Sequence, residues 1–256
     1  MNIIQDLIPA GRRNRPATVP GHARYGKIVP PKYITIHNAW SPWDAKGLNA
    51  YMKSDSCANR PASWHLSVSD NLVVQGVPFG ETAWHAGDYI NAANPGIGNS
   101  QSIGIEICDF YNPTTKKNDQ QKYLLAEAYS IKLVAYLIKT VPSLLPFPEC
   151  VVPHTKWRPA SGCPSRILGR KDGWANYIKA IKEELEGTPS TPEAPWPNYP
   201  IPRVDKTIGV EVNGKRTNEV GYLINNATYV RAAYVAGLVG VNVTGHGDHI
   251  KINTKG

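Results

Sequence analysis

Apolar and polar positions alternate from Tyr33 to Asn38 with the two-residue period of a strand, placing Ile34 and Ile36 on one face and Tyr33, Thr35 and His37 on the other. The stretch Ile103 to Cys108 repeats the pattern, with Ile103, Ile105 and Ile107 on one face and Glu106 and Cys108 opposite. A carboxylate inside such a strand calls for a reason. Between these strands Asp44 is a suitable N-cap for a short helix, and two strands around Trp64–Val68 and Leu72–Gln75 join across the turn-forming pair Asp70 and Asn71. From about Gln120 to Lys139 the spacing of Leu124, Leu125, Ala128, Ile131, Leu133, Val134, Leu137 and Ile138 predicts a long amphipathic helix stopped by Pro142. A second helix is expected near Gly173 to Leu185, burying Trp174, Tyr177, Ile178, Ile181 and Leu185. Strands and helices mixed in this way predict an α/β fold.

Residues 188–202 carry six prolines, which remove backbone donors and favour extended geometry. They read as a linker between a large region, 1–187, and a small one, 203–256. In the small region the strand-like runs Ile208–Val212, Tyr222–Ile224 and Thr228–Val230 are separated by turn signals at Asn213-Gly214 and Asn225-Asn226. A short helix from Arg231 to Val239 and strands at Val241–Val243 and His249–Ile252 would complete a small α+β domain. The run His246 to His249 looks like a metal motif but reads better as a solvated loop.

The chain has 256 residues and 41% hydrophobic content, enough for a sizeable core. No apolar run is long enough to cross a bilayer, and Met1 to Pro20 lacks the apolar block of a signal peptide, so synthesis in the cytoplasm without membrane insertion is expected. Cys57, Cys108, Cys150 and Cys163 are widely scattered and are expected to be free thiols. The net charge of +8 favours anionic polymers, such as nucleic acid, teichoic acid or wall carboxylates. No basic and aromatic module supports nucleic acid as the partner.

His154 follows an apolar strand and Cys163 lies in a Pro- and Gly-rich loop nine residues later. Such a pair alone is ordinarily structural. With His37 it offers two imidazoles and a thiolate, three ligands for tetrahedral zinc with a fourth position left for water, which is the pattern of a catalytic site. Zinc brings the pKa of a bound water to roughly 7, and a carboxylate such as Glu106 could orient that water and move its proton.

These residues sit in ordered blocks: Asn2 to Pro9, Asn14 to Pro16, Tyr33 to Asn38, Ser63 to His65, Trp84 to Asp88, Ser102 to Cys108, Val151 to His154, and Cys163 with Pro164. Together they resemble the type 2 N-acetylmuramoyl-L-alanine amidase family, which includes phage endolysins and is related to peptidoglycan recognition proteins. The resemblance implies a central mixed sheet flanked by helices. It also implies one zinc ion on His37, His154 and Cys163, and Glu106 as the catalytic carboxylate. His65, His85, Trp64 and Trp84 would lie along the substrate groove, with packed or hydrogen-bonded side chains as the alternative for each. Many relatives carry a lysine two residues before the zinc cysteine, to stabilise the oxyanion. Ser161 stands there in this chain, leaving Ser161, Arg158, Lys156 or the metal itself to do that work.

The implied reaction cuts the amide between N-acetylmuramic acid and L-alanine in peptidoglycan. A phage or prophage endolysin released by a holin, or a domestic autolysin, would fit. A zinc-free recognition protein and a cytosolic muropeptide-recycling amidase are the other readings. The small region is similar to the stalk-like domain related to the N-terminal domain of copper amine oxidases. Its seven basic and four acidic residues suit wall binding, and its size suggests self-association or docking.

Overall fold

The computed structural model describes residues 3–58, 62–91 and 95–187, and strand backbone at 206–212, 215–224, 227–229, 241–246 and 249–254. The chain divides into two compact units, Met1–Thr191 and Pro192–Gly256.

The first unit is built on six strands: β1 (Ile3–Gln5), β2 (Tyr33–Asn38), β3 (Leu66–Val68), β4 (Val73–Gln75), β5 (Ser102–Ile107) and β6 (Val151–Pro153). They lie in the order β1-β4-β3-β5-β2-β6. All neighbours are parallel except the β3–β4 hairpin, so the sheet is mixed. The alternation in β2 and β5 does what the sequence predicts. Ile34, Ile36, Ile103, Ile105 and Ile107 are fully buried in one core with Leu133, Leu137, Tyr177 and Ile181. Those last four belong to two helices, α2 (Gln120–Thr140) and α3 (Gly173–Glu186), which pack on each other. Asp119 caps α2 by accepting the Lys122 N–H at 3.0 Å.

Helix α1 (Ala45–Lys53) starts where Asp44 accepts the Gly47 N–H at 2.8 Å, and places Leu48 and Met52 in a second core with Trp64, Val74 and Cys108. The polar face of β2 and β5 is therefore left for other work. Cys108 and Cys150 are buried free thiols, and Cys57 is buried with its Sγ on the Ala62 carbonyl. The sequence pattern did not mark β1, a three-residue edge strand whose only ladder is with β4. The expected strand at Trp64 begins two residues later, at Leu66.

The second unit has five strands: β7 (Lys206–Val212), β8 (Lys215–Ile224), β9 (Ala227–Tyr229), β10 (Val241–His246) and β11 (His249–Thr254), in the order β9-β8-β7-β11-β10. β7 and β11 run parallel, and the other neighbours antiparallel. The expected turns at 213–214 and 225–226, the helix at 231–239 and the linker at 188–202 lie outside the described residues. His246 and His249 were expected in a loop. They instead form the last paired position of the β10–β11 ladder. Among the described residues no helix is long and apolar enough to cross a membrane.

Candidate metal centre

Parallel pairing of β2 with both β5 and β6 brings the C-terminal ends of three strands to one edge of the sheet. His37 is the fifth residue of β2, and His154 follows β6 directly. Cys163 comes after the short 3-10 turn Pro159–Ser161. One ligand atom from each of His37, His154 and Cys163 falls within 4.8 Å of the other two, and this cluster could hold a metal ion. Nδ1 of His37 faces Cys163 Sγ at 3.8 Å.

The polar groups around these side chains fix how they point. His37 Nε2 lies 3.0 Å from His85 Nδ1, and His154 Nε2 lies 3.0 Å from the Ala86 carbonyl. The Asn38 N–H donates to Cys163 Sγ at 3.4 Å. The Asn38 side chain is held in turn by Tyr123 Oη and by the Arg166 N–H, which ties the sheet edge to α2 and to the segment after Cys163.

Burial disfavours protonation of the ring nitrogens and disfavours ionisation of the sulfur. Burial, reinforced by His85 and His154, pushes His37 well below the ordinary histidine value. Burial also lowers His154, with the Arg158 charge adding to it. The Cys163 thiol is pushed up to about 12 by burial and by Glu106, so it stays protonated at neutral pH unless a cation lies next to it.

Glu106 on β5 pairs directly with His37 on β2, so both side chains leave the same face of the sheet. It lines a cavity of about 390 Å³ together with Trp40, Trp43, Leu48, Tyr51 and Trp64. Its Oε2 is enclosed and has no hydrogen-bond partner among the described groups, and burial pushes its pKa up to about 8. A carboxyl poised there exchanges a proton readily near neutrality. The rim of this cavity was not anticipated. Trp40 is 64% exposed and Trp43 43% exposed, and Trp40 holds a left-handed φ of 39°. A non-glycine residue in that region is strained, and such strain concentrates at binding sites. The available signal was the pair of tryptophans in Ala39 to Trp43, directly after the strand that carries His37.

The remaining expected residues divide. Trp64 lines the cavity while its Nε1–H donates to Ser67 Oγ at 2.7 Å. Trp84 is packed instead, its indole donating to the Arg13 carbonyl and its ring edge-on to Tyr89. The groove position expected for His65 does not match where its side chain sits. It is 1% exposed, with Nε2 on the Glu81 carbonyl and Nδ1 accepting the Gly104 N–H. His85 turns inward to His37, not outward to a groove. Ser161 Oγ accepts the Cys163 N–H at 3.3 Å. Lys156 spends its charge over the rings of Tyr33 and Trp157. Arg158 lies across Gly87, where an added Cβ would meet its Cδ at 2.9 Å, so glycine leaves the room that the arginine fills.

Comparison with known proteins identifies the family. Residues 27–166 match the Amidase_2 family model, described as N-acetylmuramoyl-L-alanine amidase. The N-acetylmuramoyl-L-alanine amidase CwlH of Bacillus subtilis (strain 168) is 34% identical over 204 residues, covering 79% of this chain and 68% of that protein. XlyA of the same organism, also an N-acetylmuramoyl-L-alanine amidase, is 35% identical over 71% of this chain, which spans only 51% of XlyA. The solved catalytic domain of XlyA superposes with a TM-score of 0.54 at 34% identity, covering 71% of this chain and 99% of that domain.

Proposed function

Because the chain belongs to the N-acetylmuramoyl-L-alanine amidase family, we propose that it hydrolyses the amide between N-acetylmuramic acid and L-alanine in peptidoglycan, using one zinc ion. The observation that carries this reading is the convergence of two imidazoles and a thiol within 4.8 Å, beside a strand-paired carboxyl. Two nitrogens and one sulfur suit zinc, which would take the sulfur as its thiolate. His37 and His154 would hold the ion through Nδ1, since the Nε2 of each is engaged elsewhere, and Cys163 through Sγ. When bound, zinc would act as a Lewis acid on the scissile carbonyl and make water more acidic.

The chain's own groups do the rest. Glu106 takes a proton from the attacking water and returns it to the departing L-alanine nitrogen, so one carboxyl serves first as base and then as acid. Its enclosed Oε2, with no hydrogen-bond partner among the described groups, suits that double duty. Trp40, Trp43 and Trp64 line the adjoining cavity and offer flat faces to a sugar ring or stem peptide. Of the cations near the position where relatives have lysine, Arg158 is the better candidate to stabilise the oxyanion. Its charge reaches His154, whereas Lys156 is occupied on the rings of Tyr33 and Trp157.

A zinc-free recognition protein would have no need of Cys163, whose presence favours an enzyme. The basic charge and the separate second unit favour intact wall over small recycled muropeptides, in keeping with an endolysin or autolysin whose second unit binds wall polymer. Digestion of purified peptidoglycan by the wild type and by Glu106→Ala, with mass analysis, tests this. Stem peptides with a free L-alanine amine, released only by the wild type, are expected. New reducing sugar ends would refute the reading.

A further inference from the structure

We infer that the dipeptide His85-Ala86 clamps both ligand histidines in the tautomer that binds metal, which makes His85 a positioning residue for the centre. The inference rests on the reading that His37, His154 and Cys163 hold zinc.

The logic starts from groups that can only accept. The Ser102 carbonyl lies 3.4 Å from His85 Nε2, so that nitrogen carries the hydrogen. In a neutral imidazole one nitrogen donates and the other accepts, so with its hydrogen on Nε2 the buried His85 ring offers Nδ1 as an acceptor. His37 Nε2, 3.0 Å away, must then be the donor, and the Nδ1 of His37 faces Cys163 with its lone pair free. The same rule applies next door. The Ala86 carbonyl accepts from His154 Nε2, which frees the Nδ1 of His154. One side chain and the following carbonyl therefore orient both rings.

The dipeptide is itself held firmly. Asn99 Oδ1 accepts the N–H of His85 at 2.9 Å and of Ala86 at 2.8 Å. Asn99 is 1% exposed, and its Nδ2 donates to the Pro95 carbonyl. The strand beneath makes room for the ring: a Cβ on Gly104 would stand 2.7 Å from His85 Cγ. Glycine at the second position of β5's Ile-Gly-Ile run is thus explained by the seat it gives His85, a neighbour distant in sequence.

Outer-shell partners of this kind change metal affinity by about 10- to 100-fold. The test compares zinc affinity, by competition with a chromophoric chelator, in the wild type, His85→Asn, His85→Gln and Gly104→Ala. Asparagine sets an amide oxygen where Nδ1 stood, whereas glutamine sets its amide where Nε2 stood. The asparagine variant should retain most of the wild-type affinity and the glutamine variant should lose about 10- to 100-fold. Gly104→Ala should also weaken binding, because it displaces the ring without removing an atom of it. Cobalt(II) substituted for zinc gives a second readout. Its thiolate charge-transfer and d–d bands should match the wild type in His85→Asn and change in His85→Gln. Wild-type affinity in His85→Gln, or equal losses in both polar variants, overturns the inference alone. A wild-type protein that takes up no zinc overturns this inference and the proposed function together.

Discussion

His65 gives the fold a specific sensitivity to acid. Its Nε2–H donates to the Glu81 carbonyl at 3.1 Å, and its Nδ1 accepts the Gly104 N–H at 3.0 Å. Only a neutral imidazole satisfies both. Protonation would set one N–H against another in the interior, where His65 is 1% exposed. Burial accordingly drives its pKa down from 6.5 to about 4, against a smaller opposing effect from Glu81. In the unfolded chain the same ring takes up a proton near pH 6.5, so acid favours unfolding. The stabilising effect of the neutral ring is intact above that pH and is lost as pH falls towards 4. One pKa unit is worth about 1.4 kcal/mol, so this residue alone removes about 2 kcal/mol between pH 7.5 and 5, and about 3 kcal/mol by pH 4. His37, His85 and His154 are shifted in the same direction and add to the total, so the effect must be isolated by difference. Urea denaturation of metal-stripped wild type and His65→Asn at pH 7.5 and pH 5 does so. Asparagine still accepts from Gly104 but does not titrate. The variant should be the less stable at pH 7.5, with the gap closing by about 2 kcal/mol at pH 5. A gap that stays constant would refute the reasoning.

Glu106→Gln should bind zinc as the wild type does while turnover on peptidoglycan falls by about 100- to 10,000-fold, the usual reach of a general acid–base group; a fall of less than about tenfold would point to another proton carrier. Arg158→Ala should lower kcat with little change in KM, and Lys156→Ala should leave both near wild type; the opposite ranking would move the oxyanion role to Lys156. Trp40→Ala should raise KM and spare kcat, since the 64% exposed ring lies on the cavity rim and outside the candidate metal ligands, as steady-state kinetics on soluble muropeptides would show. Glu127 is 2% exposed and paired with Arg170 at 2.7 and 2.9 Å, so Glu127→Ala should cost about 3–5 kcal/mol in chemical denaturation.

Much of the scaffold could be read in the sequence because its signals are local. The alternation in β2 and β5, the cap at Asp44, and the apolar spacing of α2 and α3 each depend on residues within a few positions of one another. Edge strand β1 has no such signal, being defined only by its pairing with β4 about seventy residues on. The candidate metal ligands are an intermediate case. Nothing in the spacing of residues 37, 154 and 163 makes them neighbours; the blocks of the family resemblance did that. Trp40 and Trp43 were missed because exposure is what distinguishes them, and exposure follows from how the segment after β2 turns away from the sheet.

Histidine shows where local reading ends. His37, His65, His85 and His154 are one residue type, and three of the four stand on or beside strands with similar apolar neighbours. What separates a proposed ligand from a proposed clamp, and both from a structural bolt, is the partner of each ring nitrogen. His65 spends both nitrogens on backbone groups and keeps none for chemistry. His85 spends one on the Ser102 carbonyl and offers the other to a second histidine. His37 and His154 spend one each on outer partners and turn the other towards Cys163 and the shared centre. The hydrogen-bond partners other than Cys163 lie between 16 and 68 residues away along the chain, and Cys163 lies 126 residues from His37, so the tautomer, and with it the role, is written by the tertiary fold.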